Sequence, residues 1–203
     1  MHQTEPTEEQ FLHHVAKHEL SVGLASGAHR HLLFKAPGTS NRHFHLVTWP
    51  RYLAITGDMG CYVFARAHDM FQFFRHPDVN LPYWAEKLES GRNEVSELSE
   101  ERFRATIDSD FDGWSFDDVA QKAAARAALD RSDLAEAMEY HDEDGAVGKV
   151  LDYICPITGH HFADFHDQTL SDFTYHFVWC CRAIRWGIEK FDETMVERAV
   201  EPA

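Results

Sequence analysis

The rhythm of apolar and polar positions changes twice along the chain. At the start, Thr7-Glu8-Glu9-Gln10 has the spacing of a capping box, with Thr7 as cap and Gln10 three residues on. The helix it opens is expected to turn Phe11, Leu12, Val15 and Leu20 towards a core and to stop between Gly23 and Gly27. The period then shortens to two. His31–Lys35, His43–Trp49, Tyr52–Thr56 and Cys61–Ala65 read as strands, joined by Ala36–Asn41, Pro50-Arg51 and Gly57–Gly60. Connections this short place successive strands side by side and antiparallel, which predicts a four-stranded meander.

After Arg66 the period lengthens again. Asp69–Arg75 reads as a short helix carrying Met70, Phe71, Phe73 and Phe74, and Pro82 suits the first turn of another. Ser115-Phe116-Asp117-Asp118 repeats the cap pattern before an alanine-rich helix to about Ala128. Asp130–Tyr140 reads as a further helix, and His141–Gly145 as an acidic loop. In the last helix, from about Leu170 to Phe191, Phe177, Cys181, Ile184, Ile188 and Phe191 fall on one stripe, beside Arg185 and Glu189 at i,i+4. The expected fold is α+β, a single domain over residues 1–203 in which several helices cover the four-stranded meander. Its expected parts are an N-terminal helix over 1–28, the meander over 29–67 and a mainly helical remainder over 68–203.

A chain of 203 residues, 44 % hydrophobic and 13 % aromatic, is long enough to bury a core and unlike a disordered one. Charge changes the picture more. The 34 acids against 19 Lys and Arg give −15, which argues against direct binding to nucleic acid and suits a basic partner. Met1–Pro6 lacks the basic and apolar regions of a signal peptide, and no run of about 18 apolar residues occurs, so no membrane partner is expected. Cys61, Cys155, Cys180 and Cys181 form no CxxC pair and read as reduced thiols of a cytosolic protein.

Candidate chemistry is scattered. His29-x-His31 and His43-x-His45 flank a hairpin and converge if the strands pair in register, although Arg30 and Arg42 oppose a cation there. His14 and His18 share a helical face without the glutamate of HExxH, and Cys155 with His160, His161 and His166 lacks a second cysteine. Asp108-x-Asp110-x-Asp112 echoes the start of a calcium loop but has Val119 at the twelfth place, where glutamate belongs. Asp58, between Gly57 and Gly60, stands at the tip of a tight turn, as a contact or as a cap on nearby amides. Neither GxGxxG nor GxSxG is present, so no catalytic residue, metal or cofactor is assigned.

The carboxylates carry the most weight. Glu86, Glu89, Glu94, Glu97, Glu100, Glu101, Asp108, Asp110, Asp112, Asp117 and Asp118 meet only Lys87, Arg92, Arg102 and Arg104, and Asp142, Glu143 and Asp144 follow. Carboxylates in such a series can stand in for phosphates and occupy a basic channel; the plainer alternative is a solvated acidic surface.

The string from Trp49 to Phe64, WPRYLAITGDMGCYVF, followed by Asp69-Met70-Phe71-Gln72-Phe73-Phe74-Arg75, resembles a group of uncharacterised phage and prophage proteins. Arg30-His31-Leu32, Lys35-x-Pro37-Gly38-Thr39-Ser40 and Tyr175-x-Phe177-x-Trp179-Cys180 are similar too. No established activity attaches to the group. The resemblance implies a phage origin and action in the bacterial host cytoplasm. With the charge, it suggests an inhibitor of a host nucleic-acid-handling defence complex, anti-CRISPR-like, binding a basic protein or ribonucleoprotein through Glu86–Asp112 and Asp142–Asp144. One alternative is a metal-assisted enzyme acting on a nucleotide or host protein, with Asp58, His31 and His45, or Cys155, His160 and His161. Another is a phage structural or assembly factor.

Overall fold

The structure, a computed structural model, describes residues 5–76, 78–134, 143–163 and 165–200. The fold is α+β. Its contacts divide into two compact units, unit 1 from Met1–Val95 with Phe173–Ala203, and unit 2 from Ser96–Asp172.

Unit 1 begins with α1 (Glu8–Val15), which Thr7 caps as expected, its hydroxyl accepting from the Gln10 amide while Gln10 returns the bond. The helix stops at Val15, and Glu19–Ser26 is a strand, β1, so the expected helix over 1–28 is corrected. Leu20 does reach the core, but from β1; Leu12 is exposed. Glu19–Val22 alternates, yet a register shift between Val22 and Leu24 breaks the period and hides the strand.

The meander follows as β2 (His29–Lys35), β3 (Phe44–Trp49), β4 (Tyr52–Gly57) and β5 (Gly60–Ala65). Then come α2 (Met70–Phe74), α3 (Leu81–Ala85) and a three-residue strand, β6 (Leu88–Ser90). The sheet is antiparallel with strand order β1-β2-β3-β4-β5-β6, six strands where four were expected. The two added strands are the edges, one bulged and one too short to show a period. On one face Leu32, Phe34, Phe44, Leu46, Leu53, Ile55, Tyr62 and Phe64 are buried, joined by Leu88.

Helix α7 (Tyr175–Val200) covers that face, and its stripe of Phe177, Cys181, Ile184, Ile188 and Phe191 is buried as the spacing predicts. The approach is close at Gly187, where a Cβ would stand 2.9 Å from Leu46 and 3.2 Å from the Phe34 ring. Arg30, 8 % exposed, grips Asp69 with both guanidinium nitrogens at 2.8 and 2.9 Å and lies 4.3 Å over the Phe71 ring. Asp69 also accepts from the Phe71 amide as N-cap of α2. Burial pushes the Asp69 carboxyl up, but the Arg30 guanidinium and that amide outweigh it and hold its pKa below the ordinary value.

Unit 2 opens with β7 (Ser96–Leu98) and closes with β8 (Ser171–Phe173), which pair. Between them stand α4 (Glu100–Asp112), α5 (Val119–Asp130) and α6 (Glu143–Leu151). Their core includes Phe103, Ile107, Phe111, Leu129, Val147, Val150 and Phe162. The cap of α5 is Asp118 rather than Ser115: its carboxylate accepts from the Gln121 amide at 2.7 Å, and the Gln121 side chain accepts from the Asp117 amide. Glu143, Asp144 and Gly145, expected in a loop, form the first turn of α6, where the helix dipole favours acids. Of the helix expected over Asp130–Tyr140, Asp130 is the last residue of α5; residues 135–142, Asp142 among them, lie outside the described residues.

Candidate functional site

The acids singled out from the sequence fall into two kinds. Several are engaged within their own unit: Glu86 with Lys87, Glu100 with Arg104, Asp108 with Arg126 and Asp112 with Lys122. Glu143 accepts from the Ser171 hydroxyl, and Asp117 and Asp118 are committed to the start of α5. Asp108, Asp110 and Asp112 lie on helix α4, so the calcium-loop geometry is not formed. Glu89, Glu94, Glu101 and Asp144 are exposed and make no ion pair among the described residues. Those four are the carboxylates best able to meet a partner.

The charge is unevenly shared. Residues 96–172 hold 19 acids against 6 Lys and Arg, a net −13 of the chain's −15. Between α4 and α5 a cavity of about 290 Å³ has walls of Phe103, Ile107 and Leu129, with Asp108, Arg126 and Asp130 at its rim. Arg126 is bonded to both carboxylates, at 2.6 and 2.8 Å, so its charge is already taken up from within.

Asp58 accepts from the Arg42 amide at 2.7 Å, while its own amide donates to the His43 carbonyl at 3.0 Å. The turn therefore ties the β4–β5 connection to the β2–β3 connection. Gly57 is required there, since a Cβ would lie 2.2 Å from the His43 carbonyl oxygen.

His31 and His45 do converge. They are diagonal neighbours across β2 and β3, their rings 5.2 Å apart, with His31 Nε2 at 3.1 Å from His45 Nδ1. Burial, then the neighbouring imidazoles of His31 and His43, lower the His45 pKa. Among the described residues, no group of three or more His, Cys, Asp or Glu side chains is placed to hold a metal. His14 and His18 do not share a helical face, because α1 ends before His18, which instead bonds the Arg42 carbonyl at 2.9 Å.

In unit 2, Cys155 and His160 meet through the backbone, amide to carbonyl at 2.8 Å. The His160 ring stacks on Trp114, and the His161 side chain is exposed. Burial pushes the Cys155 thiol up, but the Thr158 hydroxyl and the Ile157 and Thr158 amides more than offset it, leaving the pKa lowered. Burial raises Cys180 and Cys181.

The unexpected surface is the other face of the sheet in unit 1. Register places His31, Val47, Ala54 and Val63 on one row across it, and Trp49, Tyr52 and Ala65 on the next. None of these side chains belongs to the core cluster. Trp49 is 38 % exposed and stacks on Tyr52 at 5.2 Å and 17°. At the hairpin between them Pro50 and Arg51 form the turn, with Arg51 at φ 77. The Arg51 amide donates to the His68 carbonyl, and the Arg66 amide donates to the Arg51 carbonyl. Strand alternation alone puts Trp49 and Tyr52 opposite the core positions, a signal that the chain-wide charge count overshadows.

No protein family profile, curated protein or solved structure matches the chain. Among the described residues, no helix is long and apolar enough to cross a membrane.

Proposed function

We propose that this chain is a binding protein that occupies a basic surface of a host nucleic-acid-handling complex, as phage inhibitors of host defence do. The observation that carries the reading is the concentration of charge, −13 of −15, in residues 96–172. Such a field speeds encounter with a cationic surface and makes the contact sensitive to salt. The resemblance of Trp49–Arg75 to phage proteins supplies the setting, the cytoplasm of an infected bacterium.

Glu101 and Asp144, the exposed acids of unit 2 among those four, make no ion pair among the described residues and are the contacts available to such a surface. Asp112 and Asp108, bound to Lys122 and Arg126, link α4 to α5, and with Glu100, bound to Arg104, they would have to exchange partners to bind.

The test reverses Glu101 and Asp144 to Lys together and measures phage plaquing on defence-competent bacteria that express the protein. The native chain is expected to restore plaques and the reversed chain to lose that effect while keeping its circular dichroism. Equal protection by both chains would end the reading.

A further inference from the structure

We infer that the exposed face of the unit 1 sheet binds single-stranded nucleic acid, with bases stacking on Trp49 and Tyr52 and phosphates held by Arg51 and Arg66. This goes beyond the charge-driven reading of unit 2 and stands independently of it.

Three observations converge on that face. The first is an accessible aromatic platform: Trp49 and Tyr52 lie parallel on the non-core side, beside the small side chains of Ala54 and Ala65, which leave room for a flat ring. Trp49 is 38 % exposed, which leaves part of its ring free to meet a base. The second is local charge. Of the five Lys and Arg in residues 29–68, Arg30 is committed to Asp69, and the one acid of that stretch, Asp58, is committed to the Arg42 amide. Arg51 and Arg66 are exposed and, among the described residues, bonded to no carboxylate. In unit 2, by contrast, Arg102, Arg104, Lys122, Arg126 and Lys149 are all paired with acids. The third is the backbone: Arg51 is held at φ 77, a conformation that favours Gly or Asn, at the hairpin tip beside the two rings.

Stackable rings, together with arginines that meet no carboxylate among the described residues, supply the recognition chemistry of single strands. A base-free polyanion would use the arginines and leave the rings idle. A duplex keeps its bases stacked on each other and cannot use the platform. The chain's negative total does not decide the matter, because charges beyond about 8 Å are largely screened at physiological salt.

The experiment titrates the full chain into a fluorescein-labelled oligothymidylate of about 16 nucleotides and follows anisotropy from about 50 mM salt upward. Binding is expected, with the duplex weaker. Trp49→Ala should weaken it roughly fivefold or more. Arg51→Asn with Arg66→Gln should lower the slope of log affinity against log salt by about 1.4, and Asn suits the positive φ. Reversal of Glu101 and Asp144 should leave this binding in place, which separates the result from the fate of the unit 2 reading. Absence of binding at low salt, or equal affinity in all these variants, would overturn the inference. So would heparin bound as tightly as the oligonucleotide. So would self-association in light scattering that the arginine substitutions abolish, since it would make the occupant a second copy.

Discussion

Gly57 decides how the meander closes. A Cβ at that position would meet the His43 carbonyl oxygen at 2.2 Å, and the φ of 154 is one that side chains avoid. Backbone cannot step aside as the end of a side chain can, so Gly57→Ala should cost about 2 kcal/mol or more in urea unfolding. A change under about 0.5 kcal/mol would contradict the close approach. His45 sets a pH dependence. Burial and the flanking imidazoles lower its pKa in the folded chain, so the unfolded chain takes up a proton first as pH falls through the ordinary value of 6.5. The contribution is complete above that value and is lost below it. Between about pH 7.5 and about 5.5 the melting temperature should fall less in His45→Gln than in the native chain. Equal falls would show that the imidazole is as easily charged folded as unfolded.

At the scale of elements, α7 and the sheet hold unit 1 together at a point where only hydrogen fits. Gly187→Leu would drive its side chain into Leu46 and Phe34 and should cost about 3 kcal/mol, enough to shift the denaturation midpoint clearly. A neutral result would mean that the helix does not sit on the sheet as described. The helix itself was legible, because five apolar residues at spacings of three and four leave one solution. The four central strands were legible for the same reason, with turn residues between them. The edges were not. β1 is interrupted by its bulge and by Gly23, which with Gly27 just beyond it reads as a helix end, and β6 is three residues long. The first turn of α6 read as a loop because its acids look solvated, although acids also suit a helix start. The site was legible in parts: the convergence of His31 and His45 followed from alternation, whereas which carboxylates were already engaged depended on contacts such as Asp108–Arg126, 18 residues apart.

At the scale of the molecule, the total charge of −15 conceals a segregation: unit 2 carries −13, while residues 29–68 carry five cations to one acid. If this acidic excess binds a basic surface, the contact is ionic and yields to salt. Affinity capture of the tagged chain from nuclease-treated bacterial lysate at about 50 mM and about 500 mM salt, beside the chain with Glu101 and Asp144 changed to Lys, tests this. A basic nucleic-acid-handling complex is expected on the native chain at low salt, released at high salt and absent from the reversed chain. A complex that survives high salt, or that the reversed chain captures equally well, would contradict it, as would recovery of the native chain alone.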